Sequence, residues 1–236
     1  MPTTDLISPF VVSCAGGLTL NKDVFSMAPG EALILENFEP DIKGGYRRVG
    51  GTALFNTTIV PQGSSNISKV IDCSIVFNGQ VIVARGGDIH RGTTSGSFTS
   101  LTTGLGTSTR AYDFEKFNFN GTDKLIIATG HSPAQIIDSS FNVDVVNATG
   151  GGTAPTNPKF VKVFQNHMFY AGATNSQEVI FSVPFAEDNF TTGSGAGSFK
   201  VDSTVVGLKV FRNELIVFCE DRIYKLTGTS SSNFAV

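Results

Sequence analysis

The sequence predicts an all-β, propeller-like fold of repeated antiparallel sheets, preceded by an irregular N-terminal segment containing one short helix. Three observations carry this. The composition is that of short strands and turns: 26 Gly and 20 Phe, no Trp, and only 16% charged residues in 236. A strand–turn–strand–turn–strand texture recurs over 69–92, 109–138, 157–182 and 203–228. Its anchor phenylalanines, Phe77, Phe119, Phe164 and Phe211, stand 42, 45 and 47 residues apart. A period of about 40–50 with three or four strands per unit is the signature of propeller blades.

Residues 1–62 come first and form a separate region. They show no steady alternation and contain glycine pairs at 16–17, 44–45 and 50–51. PGEALILEN at 29–37 has Pro29 at a helix start and Glu31 in a first turn, so a helix of about two turns is expected there. Residues 63–236 hold about four blades. The last repeat runs close to residue 236, so the chain is expected to be either a short protein of this type or a part of a longer one.

Within each repeat, a first apolar strand ends at the anchor phenylalanine. Asn78-Gly79 and Asn120-Gly121 follow the first two anchors, and both dipeptides suit a two-residue hairpin with positive φ. Gln165-Asn166 and Arg212-Asn213 occupy the same place with weaker turn formers. Second strands such as Val81-Ile82-Val83-Ala84 and Leu125-Ile126-Ile127-Ala128 are apolar on both faces and should be buried on both. Third strands at 88–91 and 222–225 mix charge with apolar residues and suit outer positions. Candidate fourth strands lie at 97–101, 143–146 and 198–201. The stretches at 191–198 and 228–233 read as flexible loops.

Charge and chemistry exclude several functions. The net charge is −3, so no basic field exists for gripping nucleic acid. Cys14, Cys73 and Cys219 are too scattered to suggest a disulfide framework, and Cys73 and Cys219 sit in apolar runs as small hydrophobes. The first twelve residues lack the pattern of a signal peptide, and no apolar run spans a bilayer, so a protein made in a reducing cytosol without stable membrane insertion is expected. Asp113 and Glu115 share one strand face, where a solvated edge outweighs a glycosidase pair. His90 and His131 read as exposed turn residues. Asp88, Asp138 and Asp221 lie near third strands but lack the spacing of a calcium loop. No catalytic, cofactor or metal residue is therefore assigned, and no cofactor is expected.

The stretch GGLTLNKDVFSMAPGEALILENFEPDIKGGYRRVGGTALF at 16–55 is the most specific in the chain. Gly16-Gly17-Leu18, Pro29-Gly30-Glu31-Ala32, Asn37, Gly44-Gly45 and Arg47-Arg48-Val49-Gly50 resemble the opening of tail-tube and tail-nozzle proteins of short-tailed bacteriophages. FSVPFAEDNF at 181–190 and SSSNFAV at 230–236 resemble blades of that family. The resemblance implies a virion structural protein, made in the host cytoplasm. Its copies form a ring, usually of six, around the DNA exit channel. It would meet adaptor or portal-side proteins and tail fibres, with no catalysis and no sequence-specific DNA binding. On this reading Leu33, Phe38, Tyr46, Arg47 and Arg48 are assembly contacts. A soluble propeller lectin or glycan-acting enzyme is the alternative, and the shortage of aromatics outside the strand runs disfavours it.

Overall fold

The computed structural model describes residues 16–40, 45–61, 71–106 and 112–236. The chain divides into two compact units, Met1–Leu54 and Phe55–Val236. The change of texture expected after residue 62 falls outside the described residues, as do Cys14 and Gly44.

The first unit holds two short pairings. Strand β1 (Gly17–Leu18) runs parallel to β2 (Glu31–Ala32), and β3 (Phe38–Pro40) runs antiparallel to β4 (Tyr46–Arg48). The helix expected at 29–37 does not form; this stretch holds a turn and β2 instead, and the described helical turn is a 3₁₀ turn at Val24–Ser26. The reason is local. Gly30 takes φ +90°, a left-handed conformation that stops helix propagation, and so short a segment gains little from helical bonds alone. Glu31 reaches back instead of capping forward. Its carboxylate accepts from Lys22 Nζ at 2.7 Å and from the Ala28 N–H at 2.9 Å. These two partners, Lys22 first, hold the Glu31 carboxyl below its usual range.

The second unit is all-β and propeller-like, built of four antiparallel meanders. The first sheet is β5 (Cys73–Phe77), β6 (Gln80–Arg85), β7 (Asp88–Gly92) and β8 (Thr99–Thr102). The second is β9 (Asp113–Phe119), β10 (Thr122–Ala128), β11 (Gln135–Asp138) and β12 (Val143–Val145). The third is β13 (Phe160–Phe164), β14 (His167–Ala171), β15 (Glu178–Phe181) and β16 (Gly197–Lys200). The fourth is β17 (Val205–Phe211), β18 (Glu214–Cys219) and β19 (Ile223–Leu226). The first strands β5, β9, β13 and β17 neighbour one another in chain order, so each sheet leans on the next.

All four hairpins close as the turn residues demand. Asn78-Gly79, Asn120-Gly121, Gln165-Asn166 and Arg212-Asn213 each take two positive φ angles, 43° and 73° in the first and 47° and 65° in the last. That is the two-residue turn whose twist matches the strands. In all four the anchor phenylalanine pairs with the first residue of the second strand.

Strand alternation then divides each sheet into a forward face, which carries the anchor, and a rear face. Phe77, Ile82, Ala84 and Ile89 of the first sheet's forward face pack on Phe114, Leu125, Ile127 and Ile137 of the second sheet's rear face. Phe119, Ile126 and Ile136 pack on Val161, Met168 and Tyr170. Phe164, Phe169, Val179 and Phe181 pack on Leu208, Leu215, Val217 and Leu226. Each inter-sheet layer is thus a forward face against a rear face.

The second strands of the first three sheets are largely buried as expected, with Ile126 and Tyr170 fully so, whereas β18 is buried on one face only: Leu215 and Val217 are buried, Phe218 exposed. The third strands are less peripheral than their charge suggests: Asp88, Ile89, His90 and Gly92 of β7 are buried, and fourth strands flank the third in three sheets. The two stretches read as flexible loops have defined local structure. Thr192–Ser194 forms a 3₁₀ turn, and Asn233 Oδ1 accepts from the N–H groups of Thr229 and Ser230.

Candidate functional site

The N-terminal unit carries the sequence motif. Among its described residues none is buried. Phe25 is 96% exposed, Leu20 80% and Ile34 75%, and Leu18, Val24, Val49 and Leu54 are also exposed. Several large apolar side chains are thus exposed within one short segment, more than the scattered single exposures usual on a surface.

Of the expected contacts, Phe38, Tyr46, Arg47 and Arg48 come together on the β3–β4 ladder. Phe38 stands opposite Arg48, and Glu39 opposite Arg47. The Arg47 Nε donates to Glu39 Oε1 at 2.6 Å, so Arg47 already has an acidic partner across its own ladder. Arg48 is exposed and lines a groove of about 560 Å³ with Asn37, Val49, Gly50, Gly51 and Thr52. Tyr46 is partly covered, and its hydroxyl lies so near Gly17 that a Cβ there would approach it to 3.2 Å. Leu33 is 37% exposed just after β2, away from the ladder. The more exposed Phe25 and Ile34 add to the exposed apolar side chains beyond the five residues singled out.

The carboxylate pair on β9 has a structural occupation. Lys162 Nζ on β13 lies 2.8 Å from Glu115 Oε2 and 3.3 Å from Asp113 Oδ1. The Val161 N–H donates to Asp113 at 3.0 Å and the Val163 N–H to Glu115 at 3.3 Å. Two carboxylates thus satisfy the edge of β13, where sheet pairing ends, and latch the second sheet to the third. Burial pulls the Lys162 ammonium down, but the Glu115 hydrogen bond and the charges of Asp113 and Glu115 outweigh it and leave its pKa raised. The pair is thus part-buried and engaged rather than a fully solvated edge.

A cleft of about 760 Å³ lies among Lys124, Asp138, Asp144, Glu187 and Asp188. Its acids are engaged. Asp188 accepts from the N–H groups of Asn147, Ala148 and Thr149 and from Thr149 Oγ1. Asp138 accepts from the Ser140 and Asn142 N–H groups and from Asn142 Nδ2. Lys124 pairs with Glu187. These are loop rivets. Among the described residues no group of three or more His, Cys, Asp and Glu could hold a metal.

The histidines differ from expectation. His90 is not in a turn: it sits mid-strand opposite Val83, 3% exposed, and neither ring nitrogen has a hydrogen-bond partner among the described residues. His131 lies in the bend after β10 and is half-buried. Alternation puts position 90 on the rear face of β7, and that packing overrides the polarity of the side chain. Of the cysteines, Cys219 is buried and Cys73 half-buried, both free thiols.

No protein-family model matches the chain, and no curated protein matches it in sequence. Solved structures with partial likeness include the computationally designed Ika4 protein, at 13% identity over 75% of this chain and 98% of that one, with a TM-score of 0.46. They also include BBS1N in complex with ARL6DN, at 11% identity over 70% of this chain and 51% of that one, TM-score 0.46. BamB from Moraxella catarrhalis is similar at 12% identity over 80% and 65%, TM-score 0.34. The chain therefore spans nearly all of the designed protein but about half of BBS1N.

Proposed function

We propose that the protein is a structural, non-catalytic ring component of a bacteriophage tail, a nozzle or tube protein whose copies surround the DNA exit channel. One observation carries the reading. The segment that resembles tail-nozzle openings is also the segment whose apolar side chains stand exposed with none buried among its described residues. Such a segment gains stability by leaning on another surface, and a neighbouring copy provides one. The net charge of −3 fits a lumen through which DNA slides without being held. The engaged carboxylates of β9 and of the large cleft support a scaffold over a glycan-acting site. Adaptor or portal-side proteins and tail fibres are the partners this role requires.

Electron microscopy and mass measurement of the purified chain test the proposal. Rings with an open lumen are expected. A monomer whose melting temperature rises with added glycan would replace this reading with a lectin.

A further inference from the structure

The four hairpins share one register, so the layers between sheets can be compared position by position. On the rear face next to the turn, the third sheet presents Val161, Val163 and Met168, and the fourth presents Leu208, Val210 and Leu215. These fill the space beside Phe119 and Phe164, the anchors of the preceding sheets. The equivalent residues of the second sheet are Lys116, Asn118 and Asp123, all polar and exposed. Here the layer opens into a pocket of about 450 Å³, with Phe77, Phe117 and these three side chains on its wall. A packing rule kept in two layers and broken in the third, at three aligned positions, is the kind of departure that marks a functional site. The volume falls within the range of small-molecule sites, about 300–1,000 Å³.

The wall is held from within the fold, and its polar atoms keep capacity to bond outward. Lys116 Nζ donates to the Val76 carbonyl at 3.2 Å, and an ammonium has further protons to give. Asn118 Nδ2 donates to Asp123 Oδ1 at 2.7 Å, and Asn118 Oδ1 accepts from the Gly121 N–H at 2.7 Å. That leaves Asp123 Oδ2 as an acceptor. Asn78 Nδ2 donates to the Ser139 carbonyl at 2.7 Å, which leaves Asn78 Oδ1 as another. Lys116 and Asp123 stand diagonally across β9 and β10 on the same face, so a donor and an acceptor flank one space. Lys124, also on the wall, is already paired with Glu187.

We infer that this pocket binds a saccharide. A sugar hydroxyl both donates and accepts, so adjacent hydroxyls answer the Lys116 ammonium and the Asp123 and Asn78 oxygens together, while the apolar face of the sugar ring lies against the phenyl wall. Phe117 is itself stacked on Phe185, with ring centroids 6.1 Å and planes 28° apart, so its ring is fixed. Both wall phenylalanines belong to strand runs and are indistinguishable from core residues in the sequence. Among the described residues Asp123 is the one carboxylate lining the pocket, so the site holds a sugar without the carboxylate pair that glycoside hydrolysis needs. The inference does not rest on the tail reading, since each copy in a ring can carry such a site.

Amide spectra of the full chain, titrated with glucose, galactose, N-acetylglucosamine and free phenylalanine, test it. At least one sugar should shift the Asn78, Gly79 and Asn118 signals. Asp123→Asn keeps the bond to Asn118 and should bind that sugar about tenfold more weakly, the change expected when a hydrogen bond to a charged group is lost. The triple variant Lys116→Val, Asn118→Val, Asp123→Met copies the apolar pattern of the third sheet. It should close the pocket, keep or raise the melting temperature, and bind no sugar. The absence of a shift with every sugar overturns the inference, as does a triple variant that still binds. A response to phenylalanine alone overturns it in favour of an amino-acid ligand. Rings without sugar binding sink this inference and leave the tail reading standing; sugar binding without rings does the reverse.

Discussion

Ile126 and the two buried histidines show how strongly single positions depend on their surroundings. Ile126 on β10 is fully buried between the second and third sheets. Ile126→Asp places an unpaired charge there and should cost about 3 kcal/mol or more, read as a fall in the urea midpoint. Near-wild-type unfolding would show that the inter-sheet layer is not the core. His167 lies on the forward face of β14, its Nδ1 2.6 Å from the Ser182 carbonyl oxygen, with the edges of Phe169, Phe181 and Phe234 around it. Burial pushes its pKa down, against the opposing pull of the Ser182 carbonyl. Burial also depresses His90, with Asp88 opposing and Arg85 adding to the effect. A depressed folded pKa means that the unfolded chain binds the proton more readily. Stability should therefore be level above the unfolded value of about 6.5 and fall as pH drops below it towards the folded values. Unfolding curves between pH 7.5 and 5 check this, and His167→Gln should flatten the slope.

Hairpins and the inter-sheet latch set the behaviour of the elements. Gly79 takes φ +73° with nothing within 4 Å of an added Cβ, so Gly79→Val is strained by backbone alone and should lower stability by about 1 kcal/mol in thermal unfolding. The latch answers to charge instead. Lys162→Met keeps the stem but leaves Asp113 and Glu115 facing each other's charge with only backbone donors. A loss of about 2–3 kcal/mol is expected, because removing one partner of a largely buried pair strands the other. Double substitution with Asp113→Asn and Glu115→Gln should recover part of it. A variant as stable as wild type would mean that the backbone donors alone carry the latch. Each sheet is closed by turns written in its own sequence, whereas the contact between two sheets depends on residues nearly fifty positions apart.

At the scale of the molecule, the N-terminal unit and the sheets answer to different tests. Phe25→Asp combined with Ile34→Asp changes two side chains that are at least three-quarters exposed. Melting should stay within about 0.5 kcal/mol of wild type, as is usual for surface positions, while rings disappear from electron micrographs. Rings that persist would remove the assembly role from this segment.

The repeat was legible in the residues themselves. Anchor phenylalanines at 42–47 residue spacing and two-residue turns are local signals, since a type of turn and a strand period depend on neighbours in sequence. Those signals placed the hairpins, the buried second strands and the fourth strands close to where they lie. The five N-terminal residues were legible only as a motif in a segment without alternation. What needed the tertiary structure was every property set by the next sheet. Phe77 and Phe211 have the same local pattern, yet one is buried and the other exposed, because burial is decided by what stacks on the face. Asp113 and Glu115 look like a free pair until β13 brings Lys162 between them. His90 looks like a turn residue until strand pairing carries it inside, and a helix start at Pro29 yields to Gly30 and to the reach of Glu31. Sequence specifies which face of a strand is apolar; only the packed chain determines whether another sheet covers it.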